Sequence, residues 1–369
     1  MPSTSARDWV TWDDGFLIHP LGLHLDPRRR APLGFASDGF GDARARRLIA
    51  TPETVRFLRR WRSAPSFLPS PYGRSFQLGQ SELRLVPAGA LPGAAQLEIR
   101  WRGATLLYAR RILPEPEGLG GAAEAPRADV VLLDAPPAPA PQACARRADT
   151  VAAIRAWAER VAQRNGIPVL FAEPHAAAPA LAARLGGGDL ELRLHPTIYD
   201  RVRLCAASGA DFRRAWQLRG APHLGQLVLL PWGGRASGRA VERTSPSTGP
   251  RAGGREGGDG ENGTGEAAAR LLAALREGEG GEGAGAELRT AVVHDGAAAL
   301  PGGFRPDEVF LLAFSAGVSE LVAHVQRTGA RETLLSPGTP TVVGSVLREL
   351  GIAVTSRLGP PDQLVLAGS

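Results

Sequence analysis

Hydrophobic and polar residues alternate along much of the first third of the chain, which is the pattern of strands with one buried face. The alternation is clear at residues 16–27, 76–89, 94–103 and 104–113, where segments such as SELRLV and QLEIRW have hydrophobic residues at about every second position. A continuous apolar run, ADVVLLDAP, follows at residues 128–136 and indicates a strand buried on both faces. This part of the chain is therefore predicted to be rich in β-sheet.

Residues 34–54, GFASDGFGDARARRLIATPET, combine a loop rich in glycine and aspartate with the start of a helix. Thr51 supplies a capping hydroxyl, Pro52 suits the first turn, and Glu53 lies at the positive end of the helix dipole. Many hydrolases hold metal ligands in a loop between a strand and a helix. This loop contains neither histidine nor cysteine, so it predicts either an unfamiliar site or one that has lost its ligands.

From residue 149 onward the pattern changes to alternating helices and strands, which is typical of a parallel α/β unit. Helices are predicted at 149–166 and 178–188, and strands at 167–173, 190–196 and 225–234. Glycine and proline residues at the ends of these segments indicate where the predicted helices and strands end.

Residues 235–286 are rich in Gly, Ser, Arg and Glu, which predicts a flexible low-complexity insert that acts as a solvated linker, with one helix at 266–277. Alternating strands and helices then return and are predicted at 308–314, 317–329, 332–338, 341–351 and 352–358.

The composition adds a basic bias. The chain has 369 residues, a net charge of +6 and no lysine, so all 43 basic residues are arginine. No apolar run reaches membrane-spanning length and the first residues lack a signal-peptide core, so we expect a cytoplasmic protein with no membrane partner. Cys144 and Cys205 lie far apart and are expected to be small buried thiols.

Arginine is concentrated between residues 28 and 62, where ten arginines accompany three acidic residues. Because arginine binds phosphate bidentately, this segment is a candidate nucleic-acid surface, with Arg44, Arg46 and Arg47 as its first members. The sequence leaves open the alternative that residues 56–62 form only a solvated helix face.

Several segments, in their order and spacing, resemble the bacterial ligase-associated DNA exonucleases, which belong to the β-CASP branch of the metallo-β-lactamase fold. The matching segments are LHLDP (23–27), LIATPETVRFL (48–58), VPAGALPGAAQLEI (86–99), ADVVLLDAP (128–136) and GARETLLSPG to LRELGIAV (329–354). The resemblance covers most of the chain outside the low-complexity insert.

The resemblance implies an α/β fold of a particular kind. Residues 1–148 and 287–369 would form an αββα metallo-β-lactamase-like sandwich, and residues 149–234 would form an inserted, β-CASP-like α/β domain. Residues 235–286 would be an additional flexible insert.

The resemblance does not extend to the metal ligands. The family's His-x-His-x-Asp-His motif and its later ligands hold two divalent metals, typically zinc or manganese. The matched positions here are Ser37, Gly39, Gly41, Asp42, Ala90, Arg111, Asp134, Ser315 and Pro337. Only Asp134 keeps a compatible chemistry, and Arg111 would bring a positive charge into the metal space, where it could attract a phosphate.

These substitutions predict a site with no catalytic residue and no bound metal. An oxygen-only Mg²⁺ site remains an alternative, formed by Asp38 and Asp42 with Asp13, Asp14 or Asp26. Were metals present, Asp38, Asp42 and Asp134 would be the first candidate ligands.

Two functions follow as expectations. The first is a catalytically inactive homologue of the exonucleases that binds DNA or RNA, or acts as a scaffold in DNA repair. The resemblance implies an ATP-dependent DNA ligase or a helicase as its partner. The second is a metal-dependent exonuclease or other phosphodiester hydrolase with a reduced or relocated metal site.

Overall fold

The computed structural model is mixed α/β and divides into two compact units, Met1–Pro141 with Phe314–Ser369, and Gln142–Ala313. This confirms the predicted α/β class. The residues that the structure describes are 9–41, 43–61, 66–114, 119–135, 139–144, 147–232, 270, 272–273, 275, 286–296 and 305–356.

Strands and helices are numbered in chain order. The strands are β1 (Val10–Trp12), β2 (Phe16–Ile18), β3 (Leu23–Leu25), β4 (Ala31–Phe35), β5 (Ala45–Ala50), β6 (Ser66–Pro69), β7 (Ser75–Leu78), β8 (Ser81–Pro87), β9 (Ala95–Trp101), β10 (Ala104–Ala109), β11 (Val130–Leu133), β12 (Gly166–Ala172), β13 (Glu191–Leu194), β14 (Ala215–Gln217), β15 (Gln226–Pro231), β16 (Glu287–His294), β17 (Glu308–Leu311), β18 (Glu332–Leu335) and β19 (Ala353–Thr355). The helices are α1 (Pro52–Trp61), α2 (Pro141–Cys144), α3 (Arg147–Gln163), α4 (Ala177–Leu185), α5 (Pro196–Ala206), α6 (Val318–Thr328) and α7 (Thr341–Glu349).

The first unit contains two sheets. One has the order β1-β2-β3-β4-β5-β6, and the other has the order β19-β18-β11-β10-β9-β8-β7. In the first sheet β3, β4, β5 and β6 run parallel, and in the second β10, β11, β18 and β19 do. The remaining strands of each sheet pair in the antiparallel sense.

One hydrophobic core joins these two sheets face to face. Phe16 and Phe35 of the first sheet meet the ring of Tyr108 from the second, each with its ring centroid 6.0 Å from that of Tyr108. Because side chains alternate along a strand, the opposite face of each sheet is left for helices. Helix α1 packs against Leu48 and Ala50 on the outer face of the first sheet.

Helices α6 and α7 cover the outer face of the second sheet. His324 of α6 lies with Nε2 2.9 Å from Oε1 of Gln96 on β9. Gly344 of α7 faces Leu335 of β18, since a Cβ on that glycine would lie 3.0 Å from a Leu335 methyl.

The second unit is built on a six-stranded, entirely parallel sheet of order β14-β13-β15-β12-β16-β17. Residues 287–369 were expected to complete the first unit, whereas β16 and β17 pair in this sheet and the first unit resumes at Phe314. The difference has a simple cause, because an apolar strand does not reveal in its own sequence which sheet it joins.

Most predicted elements are present, but the helices α2 and α5 and the strands β6, β14 and β16 were not predicted. Helix α5 begins with Pro196, separated from β13 by one residue, and no element was predicted between residues 197 and 224. Of the helix predicted at 266–277, residues 270, 272, 273 and 275 are described and are helical. Leu272 packs in the core of the second unit. The rest of that prediction lies outside the described residues.

The two cysteines are both free, with Cys205 buried and Cys144 half-buried. Burial raises the pKa of the Cys205 thiol to about 12, which makes it unreactive. Within the described part of the chain, no helix is long and apolar enough to cross a membrane.

Candidate functional site

The carboxyl ends of strands from both sheets meet at one edge of the first unit. Asp26 follows β3 and Asp134 follows β11, and Tyr108 of β10 lies between them. The Tyr108 hydroxyl donates to Oδ2 of Asp26 over 2.8 Å and lies 3.4 Å from Oδ2 of Asp134. This is the edge at which α/β sheets usually bind their ligands.

Arg110 occupies the centre of this edge. Its Nε lies 3.2 Å from Oδ2 of Asp134, and its Nη1 lies 3.6 Å from Oδ1 of Asp26. The side chain is only 15% exposed. Burial acts to lower the pKa of Arg110, but Asp26, Tyr108 and Asp134 outweigh it and raise that pKa above its ordinary value. The guanidinium is therefore a permanent, buried positive charge held by both sheets.

Burial also shifts the pKa values of the groups around Arg110. Desolvation raises the pKa of Asp26, and Arg110 offsets part of that rise. Desolvation, with the charges of Asp26 and Asp134, also raises the pKa of Tyr108, so that its hydroxyl stays protonated as a donor. Asp26 has a left-handed backbone (φ 46°) and accepts a 3.0 Å hydrogen bond from the N–H of Ser37.

Arg111 points to a different carboxylate. Its Nε lies 3.4 Å from Oδ2 of Asp38, whose Oδ1 accepts a 2.8 Å hydrogen bond from the N–H of Phe40. Burial acts to raise the pKa of Asp38, but Arg111, Arg110 and the N–H groups of Phe40 and Gly41 outweigh it and lower that pKa. Arg111 is 32% exposed in its side chain, and its φ of 47° is left-handed.

The loop after β4 lies directly on α1. A Cβ at Gly39 would stand 2.3 Å from the Cβ of Phe57, far closer than two carbon atoms can approach. The rings of Phe40 and Phe57 pack with centroids 5.0 Å apart. Position 39 therefore has no room for a side chain, and its glycine is explained by close approach of the backbone to the helix.

The structure gathers most of the predicted positions at this edge. Ser37, Gly39, Gly41, Arg111 and Asp134 lie around Arg110 or Asp38.

Three other predicted positions flank the cluster. Ala90 is buried beside Gly89, which forms a β-bridge with Ile112, and Ser315 precedes Ala316, whose N–H donates to the Ile112 carbonyl. Pro337 is exposed, next to Ser336 at the end of β18. Asp42 lies outside the described residues.

Arg110 and Tyr108 were missed in the sequence, which drew attention only to Arg111. The period of two along β10 carries the missing signal, since Leu106, Tyr108 and Arg110 alternate onto one side of the strand. Leu106 and Tyr108 belong to the core between the sheets, so Arg110 is the next side chain in that direction at the strand end.

The predicted nucleic-acid arginines divide into two places. Arg44, Arg46 and Arg47 are exposed at the beginning of β5, whereas Arg111 lies at the carboxyl-end edge. No described residue forms an ion pair with Arg44, Arg46 or Arg47.

A two-metal site does not fit the residues of this edge. The guanidinium of Arg110 already lies between Asp26 and Asp134, and Arg111 lies beside Asp38. Metal ligands on the loop would need side chains at positions 39 and 41, and Phe57 leaves no space at the first. The described residues include no group of three or more His, Cys, Asp or Glu arranged to hold a metal ion.

Comparison of the chain with models of known protein families finds no match, and comparison with curated proteins finds no relative. The resemblance to the ligase-associated exonucleases therefore remains a prediction from the sequence.

Proposed function

We propose that the first unit is a metallo-β-lactamase-like αββα sandwich and that the chain binds nucleic acid without hydrolysing it. In this proposal it is an inactive homologue of the ligase-associated DNA exonucleases and serves in DNA repair. The proposed loss of hydrolytic activity rests on one observation. The buried guanidinium of Arg110 contacts both Asp26 and Asp134.

The charges of the site explain why this contact matters. Dinuclear hydrolases use two dications to generate hydroxide and to stabilise the phosphoryl oxygens. Two such ions would add four positive charges to a site where two guanidiniums already neutralise two of the three carboxylates. Repulsion by Arg110 and Arg111 opposes that addition, and no imidazole is present at the matched positions to bind a metal.

The layering of the first unit supports the fold part of the proposal. Two sheets share one core, α1 covers one outer face and α6 and α7 cover the other. The exposed arginines at residues 28–60 support the binding part, because a surface rich in arginine attracts a phosphodiester backbone. A DNA ligase or helicase is the expected partner in a repair complex.

The proposal is tested on purified full-length protein. After incubation with Zn²⁺ or Mn²⁺ and gel filtration, we expect far less than one metal per chain by elemental analysis. We also expect no release of nucleotides from labelled DNA or RNA, but salt-dependent binding of the same oligonucleotides by fluorescence anisotropy. The matched control is Asp134→Asn, because trace hydrolysis by a contaminant would persist in that variant.

Two results would contradict the proposal in different ways. About two metals per chain, with hydrolysis that Asp134→Asn abolishes, would establish the alternative of a hydrolase with a relocated site. An absence of binding at low ionic strength would remove the nucleic-acid function and favour a protein scaffold.

A further inference from the structure

Arginines from separate segments meet at the amino ends of the strands of the first sheet. The parallel register places Ala31 opposite Ala45, and the N–H of Ala31 donates to the carbonyl of Arg44. Arg30 and Arg44 therefore precede neighbouring strands. The N–H of Arg44 donates to the carbonyl of Pro27. Because Pro27 precedes Arg28, this hydrogen bond places Arg28 near Arg44 as well.

Helix α1 adds further arginines to this end. The helix begins at the carboxyl end of β5 and returns to the start of β6, whose Ser66 pairs with Arg47. Arg59, in the last turn of the helix, lies with its guanidinium 5.6 Å from the ring centroid of Phe67 on β6. We call the resulting set the amino-end surface; its exposed members are Arg28, Arg30, Arg44, Arg46, Arg47, Arg59 and Arg60.

Four arginines of the amino-end surface, Arg30, Arg44, Arg46 and Arg47, are exposed and carry the charge that attracts a polyanion. Arg29 is the arginine of this stretch that pairs with Asp13 and Asp14. In the described parts of the chain, no carboxylate forms an ion pair with Arg30, Arg44 or the two arginines of β5. A cluster of this kind has a strong attraction for polyanions and costs stability in their absence.

The amino-end surface lies at the opposite end of the strands of the first sheet from Arg110 and Arg111, and the chain at Arg28 and Arg44 connects the two places. Strand β5 has six residues, and at about 3.3 Å per residue its first and last Cα atoms are about 17 Å apart. Asp38 and Arg111 lie at the carboxyl-end edge, where the described charges are three carboxylates against two guanidiniums. That edge repels an additional phosphate, whereas the amino-end surface attracts one.

We infer that the phosphodiester backbone of a nucleic-acid duplex binds across the amino-end surface and not at the carboxyl-end edge. This inference rests on the proposed nucleic-acid function and identifies the surface at which the nucleic acid binds. Neighbouring strands lie about 4.8 Å apart, so Arg30 before β4, Arg44 before β5 and Arg59 at the end of α1 can contact phosphates of one duplex, and Arg46 and Arg47 add charge on the two faces of β5.

The surface is suited to a duplex more than to a single strand. Binding of single strands relies on bases that stack on open aromatic rings. Two rings beside these arginines are covered, Trp12 by Arg28 at 5.9 Å and Phe67 by Arg59 at 5.6 Å. Contact is therefore with phosphates, and the affinity is expected to be independent of base sequence.

The test uses full-length protein and fluorescence anisotropy with a labelled duplex across a salt series. The variant Arg44→Ala/Arg46→Ala/Arg47→Ala should bind on the order of tenfold or more weakly at low salt. Its log–log salt slope should be shallower by about 0.9 for each phosphate that the variant no longer neutralises. The control Arg160→Ala/Arg164→Ala/Arg203→Ala removes the same charge from exposed positions of the second unit and should bind as the parent protein does. Circular dichroism verifies that both variants fold.

The outcomes separate this inference from the proposed function. Equal weakening in both triple variants, or strong weakening in Arg111→Ala with normal binding by the first variant, would overturn the inference and leave nucleic-acid binding intact. Parent protein that binds vesicles of anionic lipid but neither duplex nor single-stranded oligonucleotides would overturn the inference and the proposed function together and identify a membrane surface as the partner. Parent protein that binds neither would contradict the proposed function itself.

Discussion

The Nε atom of Arg110 lies 3.2 Å from Oδ2 of Asp134, and the same guanidinium reaches Asp26 on the other sheet. Arg110 and Asp134 follow strands of one sheet, whereas Asp26 follows a strand of the other. The ion pairs thus tie the carboxyl-end edges of the two sheets together. The charged side chains at this edge therefore contribute to the packing of one sheet on the other.

Replacement of Arg110 by methionine should destabilise the protein strongly. Removal of one partner from a buried ion pair leaves uncompensated charge and costs about 3–5 kcal/mol. Arg111→Met is the matched control. Its guanidinium is partly exposed, and Asp38 keeps a backbone N–H donor, so a loss of about 1–2 kcal/mol is expected. Urea denaturation followed by fluorescence measures both values. Equal losses in the two variants would show that Arg110 does not hold the sheets together.

Much of the fold could be predicted because its elements are locally encoded. Helix α1 begins where Thr51-Pro52-Glu53 predicted it, and the Thr51 hydroxyl accepts the N–H of Thr54 over 3.1 Å. The alternation at residues 76–113 likewise predicted strands. Its prediction of one buried face holds for β8, whereas β9 and β10 are buried on both faces over most of their length.

The partners within the site could not be predicted, because they depend on contacts between distant segments. Asp26 and Tyr108 are 82 positions apart and meet only when the two sheets pack. The sequence suggested Asp26 only as one ligand of an oxygen-only metal site. The alternation along β10 places Arg110 on the same side as Tyr108, but it does not tell that this side faces Asp26 of the other sheet.

The glycine at position 39 offers a steric test of the loop after β4. Gly39→Ala would place a Cβ 2.3 Å from the Cβ of Phe57, so the loop or α1 must shift. Overpacking of this kind typically costs about 1–3 kcal/mol and can cost more. Gly338→Ala is the matched control, because its added Cβ would meet nothing closer than 4.0 Å. Thermal unfolding measures both, and similar melting temperatures for the two variants would mean that the loop does not lie tightly on the helix.

The buried histidine of α6 predicts how stability depends on pH. Burial, assisted by the charge of Arg327, lowers the pKa of His324 to about 4 from its ordinary value of 6.5. Above pH 6.5 the histidine is neutral in both the folded and the unfolded protein. Between about pH 6.5 and 4 the unfolded chain takes up a proton that the folded protein does not, so the free energy of unfolding falls as the pH is lowered. The fall is at most about 1.4 kcal/mol per pH unit.

His324→Gln isolates this contribution, because glutamine retains a donor for Gln96 and does not titrate. The free energy of unfolding of the parent protein minus that of the variant should stay constant above pH 7 and shrink steadily from about pH 6.5 to 4. Other titrating groups cancel in this difference. Arg327→Gln removes the second cause of the lowered pKa, so its own loss of stability over the same window should be smaller than that of the parent protein. Urea titrations at half-unit steps of pH provide the values. A difference between parent and His324→Gln that does not change with pH would mean that His324 is not buried in its neutral form against Gln96.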